Sequence, residues 1–116
     1  MTRPRTLKPL APGNSHQRVD MMDLEMHRLM VEKIRRQPRL YATARRNLMR
    51  WLTLGGNVAP VKEWQRIVDS RTRAEVLELI AVDSEEGNRL RQNSPFRGIL
   101  SETERIEILD KYYAPN

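Results

Sequence analysis

Residues 20–54 read DMMDLEMHRLMVEKIRRQPRLYATARRNLMRWLTL, and the spacing of apolar side chains in this stretch decides the fold. Met22, Met26, Leu29, Met30 and Ile34 recur at intervals that bring them to one side of a helix, which predicts a first helix over 20–36. Asp20, Asp23 and Glu25 lie towards its start and Arg35 and Arg36 at its end, each charge matched to the helix dipole. Gln37-Pro38 interrupts the pattern, and proline is accommodated at the first position of a new helix. Tyr41, Ala44, Leu48, Trp51 and Leu52 then mark a second helix to about Leu54, which Gly55-Gly56-Asn57 stops.

The same reasoning extends towards the C-terminus. Pro60 opens a third, short helix with Val61, Trp64 and Val68 on one side. Thr72 and Glu75 have capping-box spacing ahead of Val76, Leu77 and Ile80. Ser84 is placed to cap a segment over 85–92 that Pro95 terminates. Ser101 and Glu104 repeat the box before a last helix in which Ile106, Leu109 and Tyr113 line up. No segment alternates with period two for long enough to read as a strand. The expected fold is all-α, a compact bundle of about five or six short helices. Pro4, Pro9, Pro12 and the turn-like Gly13-Asn14-Ser15 set residues 1–18 apart as a flexible basic arm, leaving 19–116 as a single helical domain.

A chain of 116 residues suffices for one domain with a modest core. It contains no cysteine, which excludes disulfides and thiolate metal sites and points to a reducing, cytoplasmic setting. No apolar run approaches the roughly 20 residues of a membrane span, and the N-terminus lacks an apolar signal region, so neither membrane insertion nor secretion is expected. The net charge of +6 is unevenly spread. Residues 28–50 carry eight basic groups against Glu32 alone, and the first 18 residues carry four basic groups and no acid. That bias suits an anionic partner, either nucleic acid or an acidic protein surface.

Catalytic chemistry finds little footing. His16 falls in the arm and His27 on the first helix, where a histidine on a charged face reads as solvated. Gly55-Gly56 lacks the lysine and spacing of a phosphate-binding loop. Asp83, Glu85 and Glu86 are accounted for by a helix N-terminus. Tyr41, Trp51 and Trp64 fall on apolar stripes and read as core, and of Tyr112 and Tyr113 one is expected to pack and the other to stay wet. No catalytic residue, metal or cofactor is assigned.

Two candidate binding regions remain. Arg35, Arg36, Arg39, Arg45, Arg46 and Arg50 form a nucleic-acid-binding candidate, because guanidinium groups offer paired donors to phosphates. The second is Arg89, Arg91, Ser94, Pro95, Phe96 and Arg97, a partner-binding candidate in which arginines surround an aromatic anchor. Structure alone also accounts for this second segment. Pro95 ends the preceding helix, Phe96 tucks beneath the turn, and Gly98 permits a backbone conformation that other residues avoid.

The run Arg89-Leu90-Arg91-Gln92-Asn93-Ser94-Pro95-Phe96, followed by Gly98, Leu100, Ser101 and Glu104-Arg105, resembles the C-terminal signature of a group of short, all-helical bacterial proteins. Glu25-Met26-His27 and the stretch 47–51 extend the resemblance, which covers roughly 20–113 and leaves the arm outside. Asn93 and Arg97 depart from the pattern, standing where Ser and Ala are expected. The resemblance implies an antitoxin-like role and carries over no catalytic residue. The expected function is therefore a non-enzymatic antitoxin of a toxin-antitoxin system, which binds and neutralises a toxin-like protein partner and regulates itself by binding DNA. The alternatives are a free-standing DNA- or RNA-binding protein, or an inhibitor or scaffold acting on another protein. A homo-oligomer is compatible with all of them.

Overall fold

The computed structural model describes residues 7–9 and 15–115. Six α-helices follow one another: α1 (Ser15–Arg36), α2 (Ala42–Leu54), α3 (Ala59–Ser70), α4 (Arg73–Ala81), α5 (Glu85–Arg91) and α6 (Glu102–Tyr112). A 3-10 turn, Pro38–Tyr41, links α1 to α2. Two three-residue strands, β1 (Leu7–Pro9) and β2 (Tyr113–Pro115), pair antiparallel, with Lys8 opposite Ala114. The protein is an all-α bundle with this small clasp beside it.

Helix α1 is the axis of the molecule, packing against α4, α5, α6 and the 3-10 turn. It buries Leu24, His27, Met30, Val31 and Ile34, a face rotated from the expected stripe, of which Met22, Met26 and Leu29 are only partly buried. The core around Ile34 gathers Ala44 and Leu48 from α2, Trp64 and Val68 from α3, Val76, Leu77 and Ile80 from α4, and Leu90 from α5. Phe96, Ile99, Leu100 and Ile108 close it from the C-terminal side.

The helix starts follow from local chemistry. Thr72 and Ser101 each accept from the backbone of the third helical residue, Glu75 or Glu104, whose carboxylate returns a bond to the cap's own N–H. Ser84 caps α5 by accepting from Gly87 N–H at 2.9 Å. Each such cap contributes about 1 kcal/mol. Gly55 (φ 79°) and Gly56 (φ 86°) end α2 in a conformation that L side chains rarely adopt.

Three expectations are corrected. Helix α1 begins at Ser15, not Asp20, so residues 15–18 belong to the bundle rather than to the arm. Arg18 is buried there, its guanidinium carbon 5.8 Å from the centre of the Tyr113 ring, a contact with the far end of the chain. Asp20, Asp23 and Glu25 consequently lie beyond the first turn, where the dipole has faded. On α6 the buried face is Ile108 and Tyr112, not Ile106 and Tyr113. The Tyr112 hydroxyl donates to Glu25 of α1 at 2.9 Å and Lys111 pairs with the same carboxylate at 2.6 Å, which sets the rotation of α6.

Candidate functional site

Pro95 and the amide-poor turn it creates would leave residues 93–98 as a loose surface connection unless other elements fastened them. Three do. His27 on α1 reaches Ser94 Oγ with Nε2 at 2.7 Å, while its Nδ1 lies 2.7 Å from the Asp23 carbonyl. A carbonyl can only accept, so Nδ1 carries the proton and Nε2 accepts from the Ser94 hydroxyl. Ser94 Oγ in turn accepts from Phe96 N–H at 3.2 Å. Asn47 on α2 donates through Nδ2 to the Pro95 and Arg97 carbonyls, at 2.7 and 2.9 Å. Trp64 on α3 donates its indole N–H to the Leu90 carbonyl at 3.0 Å.

Phe96 then fills the centre of the bundle. Its ring meets Trp64 edge-on at 6.0 Å between centroids and Tyr41 at 5.8 Å and 45°. Burying such a ring contributes several kcal/mol through area and aromatic contact together, roughly 2–4 kcal/mol.

Arg91 completes the fastening from α5. Its Nη1 donates to the Ile80 and Val82 carbonyls at 3.1 and 2.9 Å, and its Nη2 donates to Asn88 Oδ1. Those carbonyls lie at the C-terminal end of α4, where the helix leaves acceptors without internal donors. The guanidinium therefore supplies both the missing donors and the charge that this helix end favours.

These contacts correct the partner-binding expectation. Arg91, Ser94, Pro95 and Phe96 are buried, so none of the four can touch a partner while the fold is intact. Arg89 and Arg97 remain outside. Arg89 makes a two-pronged pair with Glu63 of α3, at 2.8 and 3.0 Å. His27 is likewise corrected from solvated to 4% exposed. Burial lowers its pKa to about 4, outweighing the raising effect of the bond to the Asp23 carbonyl, and the nearby positive charges of Arg91 and Arg97 add to the lowering. The same burial raises the Asp23 carboxyl, against the lowering pull of Arg97 and Arg91.

The Ser94–His27 pair has the donor–acceptor order of a serine nucleophile and its base. Here, however, the hydroxyl is fully buried and its oxygen also accepts from the Phe96 amide. The arrangement holds a loop. Among the described residues, no group of three or more His, Asp or Glu side chains is placed to hold a metal ion.

Arg35, Arg36, Arg39, Arg45, Arg46 and Arg50 are all exposed, running from the end of α1 through the 3-10 turn and along α2. Arg45 is paired with Asp69 at 2.8 Å, and Arg36 lies 3.7 Å from Glu32. Arg39 and Arg46 donate to the neutral oxygens of Gln37 and Thr43, at 3.1 Å each. Arg50 donates to Asn47 Oδ1 at 2.8 Å and so steadies the amide that grips the loop. Arg46, Arg50 and Leu54 are four residues apart, which puts them in one line along α2.

Two grooves flank the fastened loop. One, of about 340 Å³, lies between the α2–α3 turn and the loop, and Trp51, Leu54, Val61, Asn93 and Arg97 line it. The other, of about 740 Å³, runs between α1 and α6 over Met22, Met26, Met30, Leu100 and Leu109, with Asp23, Arg97 and Arg105 at its sides. Trp51, expected in the core, is only half-buried and forms part of the first groove. Asn47 and His27 were invisible as loop anchors in the sequence, because each faces a partner on a distant segment. No protein family, curated protein or solved structure matches the chain.

Proposed function

We propose that this chain is a non-enzymatic, antitoxin-like regulatory protein that binds and masks a protein partner with its outer helical surface. The observation that carries the reading is the division between inside and outside. The paired imidazole and hydroxyl of His27 and Ser94 are turned inward and spent on holding the 94–96 loop. On α2, arginines and two apolar side chains are turned outward together: Met49 and the 75% exposed Leu54 lie among Arg45, Arg46 and Arg50. Arginine beside exposed apolar groups is a composition suited to holding a macromolecule. Among the described residues no helix is long and apolar enough to cross a membrane. The test is co-expression with the product of the adjacent gene. That product alone should arrest growth, and this chain should co-purify with it and restore growth. An adjacent product that is harmless and does not associate would contradict the proposal.

A second reading, direct binding of nucleic acid, is favoured by the six exposed arginines between residues 35 and 50. It is compatible with the first, since an antitoxin that regulates its own synthesis needs both surfaces. Phosphate binding releases counterions, so affinity should fall steeply as salt rises. Affinity that ignores salt, or the lack of any binding to DNA and RNA, would remove this reading.

A further inference from the structure

The line of Arg46, Arg50 and Leu54 along α2 ends at the smaller groove. Its walls combine the half-buried ring of Trp51 with the apolar Leu54 and Val61, and with the side-chain amides of Asn57 and Asn93. Arg97 stands at the loop side, and none of the residues that line the groove is acidic. At about 340 Å³ it lies at the lower end of the roughly 300–1,000 Å³ of small-ligand pockets, a size for one ring system rather than for a large cofactor.

We propose that this groove seats an unpaired nucleobase of single-stranded nucleic acid, whose backbone is led to it by Arg50 and Arg46. The inference rests on the nucleic-acid reading above and adds to it the strand type and the place where a base is held. The chemistry of the walls matches the occupant part by part. A base presents a flat apolar face to an aromatic ring, a donor–acceptor edge to amide side chains and an anionic backbone to arginines. A base within a duplex cannot reach such a ring without leaving its stack. The row of arginines alone would take either duplex or single strand, so the groove is what makes the choice.

The position of the tryptophans makes the proposal directly measurable. The chain has two, and Trp64 is 1% exposed with its indole N–H bonded inside, which leaves Trp51 as the ring that a bound base can quench. The intact protein is titrated with a 15-nucleotide oligo-dT, with the matching oligo-rU, with a 15-base-pair duplex and with heparin, a polyanion that carries no bases. Both single strands should quench the fluorescence, and heparin should bind without quenching it. Trp51→Leu should weaken single-strand binding about tenfold and leave heparin affinity in place, with Trp51→Phe restoring most of the loss. Asn93→Ala, at an exposed position that holds no part of the core, should reduce single-strand affinity by a smaller factor. A preference for oligo-rU over oligo-dT would assign RNA as the strand, and the reverse would assign DNA.

Saturating single-strand binding with no quenching of the wild-type protein would overturn the base seat while leaving the arginine row intact. So would an unchanged affinity in both Trp51→Leu and Asn93→Ala. Quenching by a co-purified protein partner, with none by either oligonucleotide, would give the groove to that partner and overturn the proposal. If neither heparin nor any nucleic acid binds, the nucleic-acid reading itself fails and the base seat with it.

Discussion

His27 accepts a 2.7 Å hydrogen bond from the hydroxyl of Ser94, a residue 67 positions further along the chain, and both side chains are buried. The bond ties the longest helix to the loop that carries Phe96 into the core. It works only while the imidazole is neutral, because Nδ1 is already committed as a donor to the Asp23 carbonyl.

Stability should therefore depend on pH in the acid range. The folded pKa of His27 is about 4, below its ordinary 6.5, so between these values the unfolded chain binds the extra proton and the folded one does not. Stability is full above about pH 6.5 and falls as pH drops towards 4, by a total of about 3 kcal/mol. The raised Asp23 carboxyl acts in the opposite sense, since the folded protein then takes up a proton first, and it offsets part of the loss at the acid end. Thermal melts from pH 7.5 to 4 should show the decline in the wild type. His27→Gln should be less stable at neutral pH and should have a flatter profile. Parallel profiles for the two proteins would contradict this account of His27.

Ser94→Ala leaves His27 Nε2 and the Phe96 amide without their partner, at a cost of about 1–3 kcal/mol. Phe96→Ala should cost more, about 3–5 kcal/mol, because the ring fills the space between Tyr41 and Trp64. Arg97→Ala, at an exposed position, should stay within about 0.5 kcal/mol of the parent. Denaturant unfolding of the three variants checks the order, and equal effects at positions 96 and 97 would contradict the buried placement of the loop.

Gly87 is a glycine for reasons of space. A Cβ there would lie 2.8 Å from the Val82 carbonyl oxygen and 2.9 Å from Arg91 Nη1, the two partners of the bond that closes α4. Gly87→Ala gains helix propensity, yet it must push the guanidinium off its carbonyl. The net effect expected is a destabilisation of about 1–3 kcal/mol. A melting temperature equal to or above the parent's would show that the close approach is relieved without cost.

The starts of α4, α5 and α6 were legible in the sequence because their causes are local. Thr72 with Glu75, Ser101 with Glu104 and Ser84 alone each mark a helix boundary within four residues, and Gly55 marks a stop in the same way. The buried faces of α3 and α4 were legible too, through Trp64, Val68, Val76, Leu77 and Ile80. What escaped depends on distant partners. His27 looks like one more polar residue on a charged helix until Ser94 is brought beside it. Residues 15–18 look like part of an arm until Tyr113 covers Arg18. The face of α6 was expected at Ile106, Leu109 and Tyr113, and Glu25 on α1 turns the helix to bury Ile108 and Tyr112 instead. The motif that looked most like a docking loop owes its unusual composition to being held from three sides. The six arginines, by contrast, were placed on the surface by composition alone, and they are there.

On the nucleic-acid reading proposed above, the exposed arginines between residues 35 and 50 make the contacts, while the buried Ser94-Pro95-Phe96 loop holds the fold. Charge reversal of Arg39 and Arg46 is the sharpest test, because each donates to a side chain two or three residues away on its own segment, Gln37 or Thr43. Affinity for a single-stranded oligonucleotide is measured against salt for wild type and for Arg39→Glu/Arg46→Glu, alongside the melting temperature of each. The melting temperature should stay unchanged, while affinity falls substantially and the salt slope becomes shallower by at least about 0.7 per phosphate contact removed. Affinity and slope equal to those of the wild type would contradict that reading.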